Sequence, residues 1–289
     1  MIRFLLSLLL VLSLWSCDNV SKSETDGKEQ ESSAKGQLSI RFEGHVVTVD
    51  PAAGGRLGSY VLNGQEILQT TRDEEGLQWG STAWTSPQSA WTWPPEKTFD
   101  SGAFEVIKHT ADAISLRSAI DPVTSLQMEK TFAFIDQPKG MYLETIYRLI
   151  NHGTETISRG LWENTRLPYG GEFYFSADSL RLDNLANNFS KRGKSTIVPM
   201  RPGDVQKGKV FVHPAKGRGT YAGNGFRFRK LWFSGEGAVA PGHAPLELYL
   251  SPKDGFAEFE IQGVYRAIPP GESNSLTVAW KVGKLEKTD

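Results

Sequence analysis

Cysteine is nearly absent from this chain: Cys17 is the single one among 289 residues. If it is used near the N-terminus, nothing is left for a disulfide, a thiolate metal site or a Cys nucleophile, so stability must come from a packed core. Basic clusters are also missing. A formal net charge of -1 argues against a nucleic-acid partner, whose binding is driven by neutralising phosphates. No apolar run reaches the ~20 residues that cross a bilayer as a helix. No segment keeps an amphipathic helical pattern beyond about two turns, the best being Ser179 to Phe189, so an α/β fold is excluded. Metal-ligand spacing among His, Asp and Glu, a Gly-rich phosphate loop after a strand and a Gly-x-Ser-x-Gly elbow are all missing. No metal and no cofactor is expected.

At the N-terminus, Arg3 is followed by the apolar stretch FLLSLLLVLSLW and then Ser16-Cys17, the order of a secretory signal. Residues 1–16 are therefore read as a signal peptide. Leu14-Trp15-Ser16-Cys17 resembles the bacterial lipobox, with Trp15 where a small residue is usual, which implies cleavage before a lipidated Cys17; ordinary signal cleavage is the alternative. Residues 17–36 hold the lipidated cysteine and a polar tether with no aromatic residue, too poor in apolar area to offset the entropy of ordering. The expected location is the cell envelope, periplasmic or surface-facing, with the membrane reached through the lipid anchor. The leaflet stays open.

Residues 37–289 are read as one all-β domain, expected to act as a monomer. Apolar and polar residues alternate in Leu38-Ile40-Phe42, Phe104-Val106, Ile114-Leu116, Phe132-Phe134, Leu143-Thr145-Tyr147-Leu149, Leu246-Leu248-Leu250 and Leu276-Val278-Trp280-Val282. A period of two means strands with one buried face. Turn residues separate them at Asn63-Gly64, Pro138-Lys139-Gly140, Asn151-His152-Gly153, Asp254-Gly255 and Pro269-Pro270-Gly271. The pattern predicts a large antiparallel β-sandwich. The Gly- and Lys-rich stretch from Arg192 to Gly225 shows little alternation and is expected to be a long loop region that builds pocket walls.

Several segments, in order, resemble the galactose mutarotase-like superfamily: Gly54-Gly55-Arg56-Leu57, Asn63-Gly64-Gln65-Glu66-Ile67-Leu68, the strand Tyr142 to Asn151 with its Asn-x-Gly turn, Glu260-Ile261-Gln262, and Pro270-Gly271-Glu272. Trp79 to Pro95, with Trp-Thr-Ser-Pro-Gln and Trp-Pro-Pro, is similar to a bacterial branch of that superfamily without a settled activity. The resemblance implies a supersandwich fold and a carbohydrate ligand, neutral or acidic. It implies for Glu260 the place of the epimerase base, which takes the anomeric hydroxyl proton while an acid protonates the ring oxygen. A strand carboxylate tying down a loop is the alternative. The epimerase His is missing from Leu161-Trp162-Glu163-Asn164-Thr165-Arg166, so Glu163 or Asn164 would face the pocket in its place. Glu163 and Glu260 would then form a carboxylate pair of the glycosidase kind. His213 in the loop region is a substitute acid or a surface histidine, and His152 a solvent-exposed turn residue.

Eight tryptophans, one of them in the signal, are many for this length. Trp84, Trp91 and Trp93 with Gln88 offer flat apolar faces and amide groups for a sugar, or else plug one end of the sandwich. Arg56, Arg166 and Lys230 would add charge-assisted hydrogen bonds unless carboxylates already claim them. Two functions follow: a sugar-binding or sugar-active envelope protein, or a non-catalytic interaction or structural module of the envelope.

Overall fold

The computed structural model describes residues 36–72, 76–138, 140–185, 189–233 and 236–285. The signal, Cys17 and the tether as far as Lys35 lie outside them. The described chain forms two large antiparallel sheets, one of eleven strands and one of ten. In strands Leu126–Ile135 and Ser273–Lys284 alternate side chains are buried along almost the whole length. Leu143, Thr145, Tyr147 and Leu149 are all fully buried opposite them. This is the signature of sheets with one face on a shared core, and Phe228, Phe259, Tyr60 and Trp280 meet there in ring contacts.

The eleven-stranded sheet carries the candidate site. From Ser81–Ser86 to one edge it runs in the order Ser81–Ser86, Ile157–Pro168, Phe256–Gln262, Leu246–Ser251, Gly208–Pro214 and Ala177–Asp183. The last of these overlaps the segment with the best helical pattern, yet Ala177–Asp183 is an edge strand paired to Gly208–Pro214.

The expected long loop between Arg192 and Gly225 is not found. Ser195–Met200, Gly208–Pro214 and Arg218–Gly223 are strands. Glycines placed for close packing obscured the alternation. A Cβ on Gly219 would lie 2.8 Å from the Phe259 ring, and one on Gly208 would lie 2.3 Å from the Leu185 side chain. These glycines mark close approach inside a sheet rather than turns.

Candidate functional site

Strand register builds the site. In the antiparallel ladder Trp162 stands opposite Trp84 and Gln262, Asn164 opposite Thr82 and Glu260, and Arg166 opposite Glu258. One strand further, Glu260 is opposite Glu247 and Glu258 opposite Tyr249; beyond these come Phe211 and Lys209. Directly opposed residues share a face. All of these side chains therefore lie on the sheet face turned away from the second sheet, while Leu161, Glu163, Thr165 and Leu167 alternate onto the core face.

A chain of charge-assisted bonds crosses this face. Glu260 Oε2 accepts from the Trp162 indole Nε1 at 2.9 Å and is paired with Lys209 Nζ at 2.9 Å. The same ammonium lies 2.7 Å from Glu247 Oε2. Glu247 Oε1 accepts from the Ala244 backbone N–H at 2.8 Å and lies 3.0 Å from His243 Nδ1. Both carboxylates are fully buried. Burial pushes Glu260 well above the ordinary carboxylate range; Lys209 pulls the other way, while the charges of Glu247 and Glu258 add to the rise. Burial also acts to raise Glu247, but His243 and Lys209 outweigh it and hold this group down at about 2. Burial and the neighbouring carboxylates thus favour the neutral form of Glu260, while His243 and Lys209 favour the ionised form of Glu247.

His243 completes the chain. Its Nε2 accepts the backbone N–H of Gln88 at 3.2 Å, and the Gln262 amide Nε2 lies 2.9 Å from the same Nδ1 that meets Glu247. A single Nδ1 cannot donate to Glu247 and accept from Gln262 at once, so the two contacts belong to different tautomers. Among the described residues, Glu260 Oε1 and both amide atoms of Asn164 are buried with no hydrogen-bond partner. Such groups are costly and rare. His243 also forms part of the wall of a groove of about 410 Å³ at the sheet edge, with Ser179, Arg181, Phe211, His213 and Gly242 around it. Among the described residues no group of three or more His, Cys, Asp or Glu is arranged to hold a metal ion.

The other sequence-predicted positions divide by face. Glu163 does not join Glu260: it is registered against Ile261, one residue out of step, and turns into the core. There it pairs with Lys230 at 2.5 Å, and Lys230 also donates to Thr165 Oγ1 and the Phe259 carbonyl. Both are fully buried, and burial lowers Lys230 to about 8 despite Glu163. The proposed carboxylate pair is thus absent, and Lys230 is taken from the ligand set. Arg56 is likewise committed, donating to Asp100 Oδ1 at 2.7 Å and to the carbonyls of Leu77, Trp79 and Asp100. Arg166 lies on the polar face, paired with Glu258 at 2.8 Å, its guanidinium 5.2 Å from the Trp84 ring centre.

Trp84 is buried and meets Trp91, Trp93 and Trp162 edge-on, with centroids 6.2, 6.1 and 5.0 Å away. Its indole N–H donates to Asp100, and that of Trp91 to the Thr85 carbonyl. Ser81–Ser86 is thus a strand of the sheet itself, and residues 87–95 after it form a cap held against it, with Gln88 and Trp93 exposed at its rim. His213 sits exposed near the end of its strand and faces the groove; His152 bonds Gln127.

Sequence reasoning missed Lys209, Glu247 and His243. Glu247 reads as a solvent-face residue in Leu-Glu-Leu-Tyr-Leu, yet it is buried, bonded to Ala244 and His243 of the preceding turn and to Lys209.

The galactose mutarotase related enzyme of Lactobacillus acidophilus superposes with a TM-score of 0.60 at 10% identity, covering 87% of this chain and 98% of that one. A galactose mutarotase-like protein of Lactobacillus casei gives 0.57 at 12% identity, with coverage of 86% and 100%. A galactose mutarotase-like protein of Clostridium acetobutylicum gives 0.56 at 10%, with 86% and 95%. At these identities the likeness is one of fold. No curated protein matches the chain in sequence. The profile of the family described as a domain of unknown function, DUF4380, matches residues 56–283. The chain therefore belongs to the DUF4380 family and has the fold of the galactose mutarotase-like sandwiches.

Proposed function

We propose that this protein binds a carbohydrate in the groove beside His243 and exchanges protons at its anomeric centre, in the manner of an aldose epimerase. The observation that carries the reading is the continuous link from the groove wall to the buried carboxylates, His243–Glu247–Lys209–Glu260. Opening a sugar ring needs a proton removed from the anomeric hydroxyl and one delivered to the ring oxygen. With Nδ1–H on Glu247, the His243 Nε2 lone pair is the base, released from the Gln88 N–H as the sugar hydroxyl replaces it. Lys209, within 2.9 Å of an oxygen of each carboxylate, offsets the negative charge gathered beside His243. His213, on the same groove, is the acid for the ring oxygen, and Phe211 supplies an apolar face for the ring's C–H groups. The groove, at about 410 Å³, lies within the range of small-ligand sites.

In this reading the protein is a lipoprotein of the cell envelope, held by Cys17 and standing off the membrane on residues 17–36. Palmitate labelling of the expressed full chain should be lost in Cys17→Ser.

Binding is tested by intrinsic fluorescence, since Trp162 lies 5.0 Å from the His243 ring. A panel of neutral and acidic monosaccharides should give a saturable change that His213→Ala and His243→Ala weaken. The packing of Trp91, Trp93 and Trp162 edge-on against Trp84 favours a second reading, a non-catalytic envelope module, for the cap. No response across the panel supports that one.

A further inference from the structure

The outer face of the ten-stranded sheet holds a second concavity, of about 920 Å³, unconnected to the acid-base chain. Strand alternation creates it. Phe173 and Phe175 point into the core while Glu172 and Tyr174 point out; Phe226 and Phe228 point in while Arg227 and Arg229 point out. Neighbouring strands and turns add Arg192, Lys194, Lys216 and Arg218.

Six cations thus line one groove of a chain whose formal net charge is -1. None of the six forms an ion pair with a carboxylate among the described residues. The single acid in the lining, Glu172, takes the Tyr174 hydroxyl. Six like charges with a single carboxylate among them repel one another and raise the local potential, which focuses anions into a concave surface. Spread over the strands Ser190–Arg192, Arg218–Gly223 and Phe226–Phe233 and the adjoining turns at Lys194 and Lys216, they match charges repeated along a chain better than one point anion.

We propose that this groove binds a linear acidic polysaccharide. Arginine and lysine would meet its carboxylate or sulfate groups, and the hydroxyls of Ser176, Ser195 and Thr220 its sugar hydroxyls. A single-stranded nucleic acid fits less well, because Tyr174 and the buried Phe175 are the only aromatic residues in the lining and bases bind on exposed aromatic faces. A flat membrane surface does not follow a concavity.

The test uses the full chain in non-ionic detergent and a short fluorescein-labelled dextran sulfate, followed by anisotropy at several salt concentrations. Unlabelled polygalacturonate, neutral dextran, a single-stranded oligonucleotide and phosphatidylglycerol vesicles serve as competitors. Dextran sulfate should bind, more weakly as salt rises, and polygalacturonate should displace it while neutral dextran does not. Arg218→Glu/Arg227→Glu should weaken binding at least tenfold. Arg41→Glu/Lys108→Glu, which makes the same change in net charge at exposed sites elsewhere, should weaken it twofold or less. Equal losses in the two variants would show attraction by net charge and overturn the proposal. So would an absence of binding, or stronger competition by the oligonucleotide or the vesicles than by polygalacturonate.

Discussion

Glu247 and Glu260 stand directly opposite each other on neighbouring strands, and one ammonium, Lys209, lies within 2.9 Å of a carboxylate oxygen of each. Like charges in opposed positions destabilise a sheet. The arrangement persists because Lys209 sits between them. Removing the lysine should therefore damage more than one interaction.

Lys209→Met leaves both buried carboxylates without their cation. Loss of one partner of a buried pair costs about 3–5 kcal/mol, and urea unfolding of this variant should show a loss of that order. In Lys209→Met/Glu247→Gln much of the loss should return. A loss below about 1 kcal/mol in the single variant would mean that Lys209 is not the shared counter-ion.

Acid should act through Glu247. Its folded-state value, about 2, lies below the ordinary 4.5. The group therefore contributes stability above pH 4.5, and that contribution is lost as pH falls from 4.5 toward 2. From the size of that shift the contribution is at most roughly 3 kcal/mol. Glu260 has the opposite sign: its raised value makes it favourable below 4.5 and progressively costly as pH climbs toward its folded-state value. Stability measured from pH 2 to 9 should show a smaller acid-side fall in Glu247→Gln and a smaller alkaline-side decline in Glu260→Gln. Superimposable profiles of these variants and the parent would contradict the assignment.

The Glu163–Lys230 pair should behave as a core element. Lys230→Met should destabilise by about 3–5 kcal/mol, while Glu163→Met/Lys230→Met, which removes both charges, should recover most of it. Any sugar affinity should be retained in the double variant. Loss of sugar binding in a folded double variant would bring Glu163 back to the site.

Much of the fold was legible, because a period of two survives wherever one face meets the core, as in Leu143 to Leu149 and Leu276 to Val282. It failed where glycine replaced a side chain to admit another, as Gly219 does beneath Phe259. For the site, the deciding quantity was phase. Glu163 falls in step with Leu161 and Leu167, and Lys230 with Phe226, Phe228 and Trp232, so the sequence already marked both as core-facing. A one-residue error in register moves every side chain to the other face, and reading Glu163 with Asn164 made that error. Glu260 was singled out through its Glu-Ile-Gln resemblance. His243 lies in a segment with no periodicity, brought to Glu247 by the turn before Leu246–Ser251, and no local pattern announces it.

The acid-base account is tested most directly by the rate of anomer interconversion, measured by NMR exchange on whichever sugar the fluorescence panel identifies, near neutral pH. The parent protein should accelerate exchange above the buffer rate. His243→Ala should abolish the acceleration, and Glu260→Gln should lower it at least tenfold while the sugar still binds. A bound sugar whose anomers exchange at the buffer rate, or full acceleration in His243→Ala, would contradict the account.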